Sequence, residues 1–163
     1  MNPHELITAQ FQHGYWATDR LLDQATHLTD DQFASTPGST RDLRSTLVHT
    51  LDTEWSWRLR LQGEAKEIWE VEMKPEDFPT VAVLVDRWYQ DREQMLTWLA
   101  GLTEDDLASP PPAEGTDHPL WYYLLHINHH SALARADAAA LLTDRGHSPG
   151  DLDFLDYISS RLS

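Results

Sequence analysis

Leu120-Trp121-Tyr122-Tyr123-Leu124-Leu125-His126-Ile127-Asn128-His129-His130-Ser131-Ala132-Leu133-Ala134-Arg135-Ala136-Asp137 reads as a helix that is apolar on nearly every side. It starts near Pro119, a residue welcome in a first turn, and runs to Arg145, with Gly146 as the candidate C-cap. A helix apolar almost all round belongs in an interior, so other helices are expected to surround it. Three more long segments supply them. One spans Pro3 to His27 and is interrupted only by Gly14. A second spans Thr40 to Leu61, after the breaker Pro37-Gly38, with Ser39 as the expected N-cap and Gly63 as its stop. The third follows Phe78-Pro79-Thr80 and runs to Ala100, ended by Gly101. No segment shows strand alternation. The expectation is a single all-α domain over residues 1–163, built on four long helices.

The second and third helices are joined by Gln62 to Phe78, about 17 residues, which is long for antiparallel neighbours and suits a crossover connection. A faint repeat runs through the chain. Leu28-Thr29-Asp30-Asp31-Gln32-Phe33-Ala34-Ser35 after the first helix matches Leu102-Thr103-Glu104-Asp105-Asp106-Leu107-Ala108-Ser109 after the third. Leu43-x-x-x-Leu47-Val48-His49 likewise matches Leu120-x-x-x-Leu124-Leu125-His126. These suggest two related helical hairpins, although short Leu-rich matches also arise by chance.

The composition removes several function classes. The chain of 163 residues has a net charge of −15, from 27 acidic and 12 basic residues. Such a surface repels nucleic-acid phosphates and anionic membranes. No cysteine is present, so disulfides, zinc–cysteine sites and thiol catalysis by the protein's own side chains are excluded. Met1-Asn2-Pro3-His4-Glu5 lacks the features of a signal peptide, which makes the cytoplasm the expected location.

The candidate chemistry lies in the histidines. His126 and His130 are one turn apart, about 40° from each other around the helix axis, a spacing that lets two imidazoles share one metal ion. Ile127 stands where a helical zinc protease would carry its glutamate, so that reading fails. A histidine face on a buried helix needs a partner, and metal, carboxylate or water could each serve. His129 points to the other side.

His49 lies off the stripe Leu43, Leu47, Leu51, Trp55 and Leu59, among Ser45, Asp52 and Ser56. Periodicity alone fits a solvated polar face there. A small-residue wall leaving room for a ligand is the second reading, and Glu54, Arg44 and Arg58 interrupt the supposed apolar stripe. Asp52, three residues from His49, is a candidate ligand or acceptor, or simply an exposed aspartate. His4, His13, His27 and His147 read as solvated and His118 as a turn residue. Trp16, Trp55, Trp57, Trp88, Trp98 and Trp121 are expected in the core.

Taken together, Leu47-Val48-His49-x-x-x-x-Glu54-x-x-Trp57, Leu124-Leu125-His126-x-x-x-His130 and Gly146-His147-Ser148-Pro149-Gly150-Asp151-Leu152-Asp153-Phe154 resemble the DinB-like superfamily. That superfamily includes damage-inducible-type proteins, thiol-dependent maleylpyruvate isomerases and bacillithiol transferases. The resemblance covers nearly the whole chain. It implies an up-down-down-up four-helix bundle, often a homodimer, with a divalent transition metal, nickel or zinc, held by three histidines. One ligand would be His49. The other two would form a pair His-x-x-x-His on the helix from Pro119 to Arg145, whose first member falls at His130 and second at Ala134, so one ligand is absent.

Two outcomes follow. Either His126 supplies the third imidazole, giving a site of His49, His126 and His130 with Asp137 assisting through water, or the site has degenerated. The first implies an enzyme that activates a low-molecular-weight thiol against small electrophiles, with Tyr122, Tyr123 or Arg135 orienting substrate. The second implies a non-catalytic, stress-associated binding bundle.

Overall fold

The computed structural model describes residues 2–34 and 42–162. Its elements in chain order are α1 (Pro3–Ala25), α2 (Asp30–Ala34), α3 (Leu43–Leu61), α4 (Lys66–Trp69), a 3-10 turn (Pro75–Asp77), α5 (Val81–Ala100), α6 (Glu104–Ala108), α7 (Leu120–Thr143) and α8 (Phe154–Leu162). No strand occurs among the described residues, and no helix among them is long and apolar enough to cross a membrane.

The long helices begin where side chains satisfy the first free N–H groups. The Asn2 carbonyl oxygen of the side chain accepts from His4 N at 2.9 Å, Asp42 from Ser45 N at 2.6 Å and Thr80 from Val83 N at 3.3 Å. The expected Pro37-Gly38 break and Ser39 cap lie outside the described residues. The cap observed for α3 is Asp42, so that helix begins at Leu43 rather than Thr40. At the end of α7, Gly146 takes φ +81, in the left-handed region that glycine tolerates best, and His147 N returns to Leu142 O at 3.0 Å.

The repeated segments form matching pieces. α2 and α6 each follow a long helix and each opens on a reciprocal cap. Thr29 Oγ1 accepts from Gln32 N while the Gln32 side chain accepts from Thr29 N, and Thr103 and Asp106 do the same. Phe33 and Leu107, in matching places, are both buried.

Two apolar clusters fill the interior. One joins Leu21 and Ala25 late in α1, Leu43, Leu47 and Leu51 early in α3, Leu84 and Trp88 early in α5, and Ala138 and Leu142 late in α7. The other joins Ile7 and Phe11 early in α1, Leu61 at the end of α3, Met95 and Leu99 late in α5, and Leu120, Leu124 and Ile127 early in α7. Between them lies a belt of buried polar side chains from all four long helices: Tyr15 and Thr18, Glu54 and Arg58, Asp91, Ser131 and Arg135. α7 packs against α1 and α3, and α5 also packs against α1 and α3.

The 62–80 link runs back along α3. α4 and the 3-10 turn both rest on that helix, and Met73 N donates to Asp52 Oδ1 at 2.9 Å. Phe78 then joins the cluster around the first half of α3.

Three expectations need correction. Only Trp88 of the six helical tryptophans named above is fully buried; Trp16, Trp55, Trp57 and Trp98 are half-buried and Trp121 is exposed. The indoles lie at the edges of the core, several of them beneath a guanidinium, where an amphipathic ring covers apolar surface beside water. α7 is not buried all round, since Leu133 is 72% exposed. His4 and His13 are half-buried, and their Nε2–H groups donate to Leu99 O at 2.6 Å and Leu152 O at 2.8 Å.

Candidate functional site

The core of the site is the meeting of α3 and α7. Leu47, Leu51, Leu124 and Ile127 are drawn into the two clusters. That burial turns His49 and His130 toward each other at the edge of the helix pair, where both are half-buried. Their ring centroids are 5.2 Å apart with the planes at 61°. His126, one turn before His130, is exposed, with its ring centroid 6.3 Å from that of His130. Trp57 touches the edge of His126 at 5.4 Å and stacks on Tyr123 at 5.9 Å. Three imidazoles and an indole therefore form one continuous strip.

Two imidazoles bound to one ion at ordinary metal–nitrogen distances have ring centroids roughly 5 Å apart. The His49–His130 pair fits that spacing, whereas His126 as placed is too far from His130. Among the described residues no group of three or more His, Asp or Glu side chains is arranged to hold a metal ion. Ala134 lies one turn beyond His130, where it offers no ligand.

The other candidates fall elsewhere. Asp52 anchors the 62–80 link through Met73, and burial raises its pKa. Asp137 is exposed. His129 lines a separate apolar groove of about 620 Å³ with Leu6, Trp121 and Leu125. Tyr122 is exposed and stacks on His118 at 5.5 Å, and the Tyr123 hydroxyl accepts from His118 N at 3.2 Å.

Arg135 is no substrate-orienting residue on the surface. It is buried in the polar belt against Gly14, where an added Cβ would lie 3.1 Å from its Nη1. Glu54, also buried, has its pKa pushed up to about 7, chiefly by desolvation and opposed by the charge of Arg135. The Tyr15 and Ser131 hydroxyls act on that carboxyl but close no hydrogen bond of ordinary geometry with it. Arg58 is paired with Asp91 in the same belt. Periodicity had flagged Glu54 and Arg58 only as interruptions of an apolar stripe. Their partners come from α1, α5 and α7, which the local pattern of α3 cannot reveal.

The arrangement can bind a cation or a polar ligand at the His49–His130 pair, beside an aromatic wall. No curated protein matches the chain. The model of the DinB family matches residues 1–161.

Proposed function

Because the chain belongs to the DinB family, we propose that it is a small-molecule enzyme whose chemistry centres on His49 and His130. The reading takes the helices as an up-down-down-up four-helix bundle. In support, the late halves of α1 and α7 share a cluster with the early halves of α3 and α5. The observation that carries the functional reading is the 5.2 Å approach of two imidazoles from different helices. His49 and His130 would hold a divalent ion, nickel or zinc, and His126 would join them by turning its exposed side chain, as imidazoles one helical turn apart can.

Such an ion supplies positive charge that lowers the pKa of a low-molecular-weight thiol. The protein's own residues supply the rest. His49 and His130 fix the position of the reacting end, and the Trp57–Tyr123 stack walls one side of it. The thiol loses its proton to solvent, and its sulfur forms the new bond to the electrophile's carbon as that carbon's leaving group departs.

Elemental analysis after metal-replete expression tests the reading. About one divalent ion per chain is expected, lost in His49→Ala and in His130→Ala. A metal-free wild type would sink it. Ala134→His should tighten metal binding by at least about tenfold, since it sets an imidazole one turn beyond His130 without requiring the exposed His126 to turn.

A second reading, a binding bundle without catalysis, is favoured by Ala134 and by the lack of a three-residue ligand group among the described residues. It expects no rise in melting temperature on adding nickel or zinc, because a ligand that binds only the native state must stabilise it.

A further inference from the structure

The last turn of α3 carries a cation that the histidine pair does not use. The Arg60 guanidinium lies 5.0 Å from the ring centroid of Trp57 and 5.1 Å from that of Trp69. Its one guanidinium hydrogen bond among the described residues runs from Nη2 to Glu114 O at 3.1 Å. No carboxylate among the described residues pairs with it, and its Nε is buried without a partner. Most of its five N–H donors are therefore unspent, in a chain with 27 acidic residues against 12 basic ones.

Arg60 borders a pocket of about 300 Å³ that is also lined by Glu64, Lys66, Trp69, Pro112 and Glu114. The pocket is built by two loops locked together. Gly63 takes φ +83, and a Cβ there would lie 3.2 Å from Pro112 O, so glycine permits both the turn and the close approach. Buried Thr116 donates to the Ala113 and Pro111 carbonyls and fixes the second loop. Among the described residues Lys66 pairs with Glu70 alone, through an exposed pair at 3.3 Å that contributes little.

The lining selects an occupant. A guanidinium offers a carboxylate two parallel hydrogen bonds. An apolar ligand would leave Arg60 desolvated and unpaired, and a polyanion would meet Glu64 and Glu114. A molecule with one carboxylate and a nearby ammonium satisfies both signs of charge. We propose that this pocket binds the amino-acid end of a small zwitterionic molecule, its carboxylate on Arg60 and its ammonium toward Glu64 and Glu114.

Trp57 lies against both Arg60 and His126, which sets the pocket beside the histidine strip. Where the reading above holds, the occupant is the thiol itself, and this inference names it as an amino-acid-type thiol. The contacts to carboxylate and ammonium do not depend on that reading.

The test uses three thioethers, none of which can form a thiolate: S-methyl-L-cysteine, 3-(methylthio)propionate, which lacks the ammonium, and 2-(methylthio)ethylamine, which lacks the carboxylate. Binding is followed by the indole N–H resonances of Trp57 and Trp69, with that of Trp88 reporting on the intact core. S-methyl-L-cysteine should shift Trp69 and bind about tenfold tighter than either half-molecule, and Arg60→Gln should weaken it by about tenfold, as expected for one charge-assisted contact. Equal binding of the amine, or undiminished binding by a folded Arg60→Gln, overturns the proposal. Equal binding of the propionate overturns its ammonium half. The ligand comparison on wild type needs no variant to fold. Failure of metal loading leaves these results standing, and failure here leaves metal loading to be decided separately.

Discussion

Glu54 shows how far one residue can depart from its local pattern. Its carboxyl has a pKa of about 7 in the folded chain against 4.5 for an unperturbed glutamate. Between those values the folded state keeps a proton that the unfolded state has lost, so stability falls as pH rises through that window and levels off above about 7. The drop is of the order of 3 kcal/mol. Asp91, raised by burial, slopes the same way. Urea unfolding at pH 5 and pH 7.5 should show Glu54→Gln losing most of that slope relative to wild type; an unchanged slope would place the proton elsewhere. Gly14 is a second case. Alanine in a helix interior ordinarily gains about 1 kcal/mol over glycine, but here the new Cβ would press on the confined Arg135 guanidinium. Gly14→Ala should therefore lower the urea midpoint. Neither residue's role was legible from sequence, because a carboxylate or a glycine within a helix looks the same whether it faces water or a buried arginine. His49 was ambiguous for the same reason, and only its neighbour across the helix pair, His130, makes it a candidate.

At the scale of elements, the stops at Gly63, Gly101 and Gly146 were legible because such signals act within a few residues, whereas Ser39, the N-cap expected for α3, lies outside the described residues and Asp42 caps that helix. The matched Thr-x-x-Gln and Thr-x-x-Asp segments became α2 and α6, each with a reciprocal cap. Thr103→Ala should cost about 1 kcal/mol in chemical denaturation, with Leu107 loosening from its cluster. The apolar composition of α7 was read correctly as helical and incorrectly as buried on every side. Composition cannot say which sides other helices cover, and four long helices leave α7 an outer face with Leu133 on it. The 62–80 link was read for its length alone; its course is set by Asp52, which turned out to be an anchor. Asp52→Ala should speed hydrogen exchange at the Met73 amide and cost about 1 kcal/mol, the ordinary worth of one such bond.

For the molecule as a whole, the all-helical class followed from four long periodic segments, and the placement of helices followed from burial that no single segment encodes. Charge acts at this scale too. At −15 the folded chain repels itself. Raising sodium chloride from low concentration to about 0.5 M, where screening is nearly complete beyond a few ångströms, should raise the melting temperature. Failure to do so would show that the acidic residues are already neutralised locally.

The polar belt between the two apolar clusters also acts as a ruler. Sliding α7 along α3 by one turn, about 5.4 Å, would carry Arg135 into leucines and strand Glu54 without an opposing charge. A core of leucine alone would tolerate such a slip, because one leucine layer resembles the next. Alignment along the helix axes is thus enforced by the residues least suited to an interior, and the meeting of His49 with His130 at the rim inherits its accuracy from them.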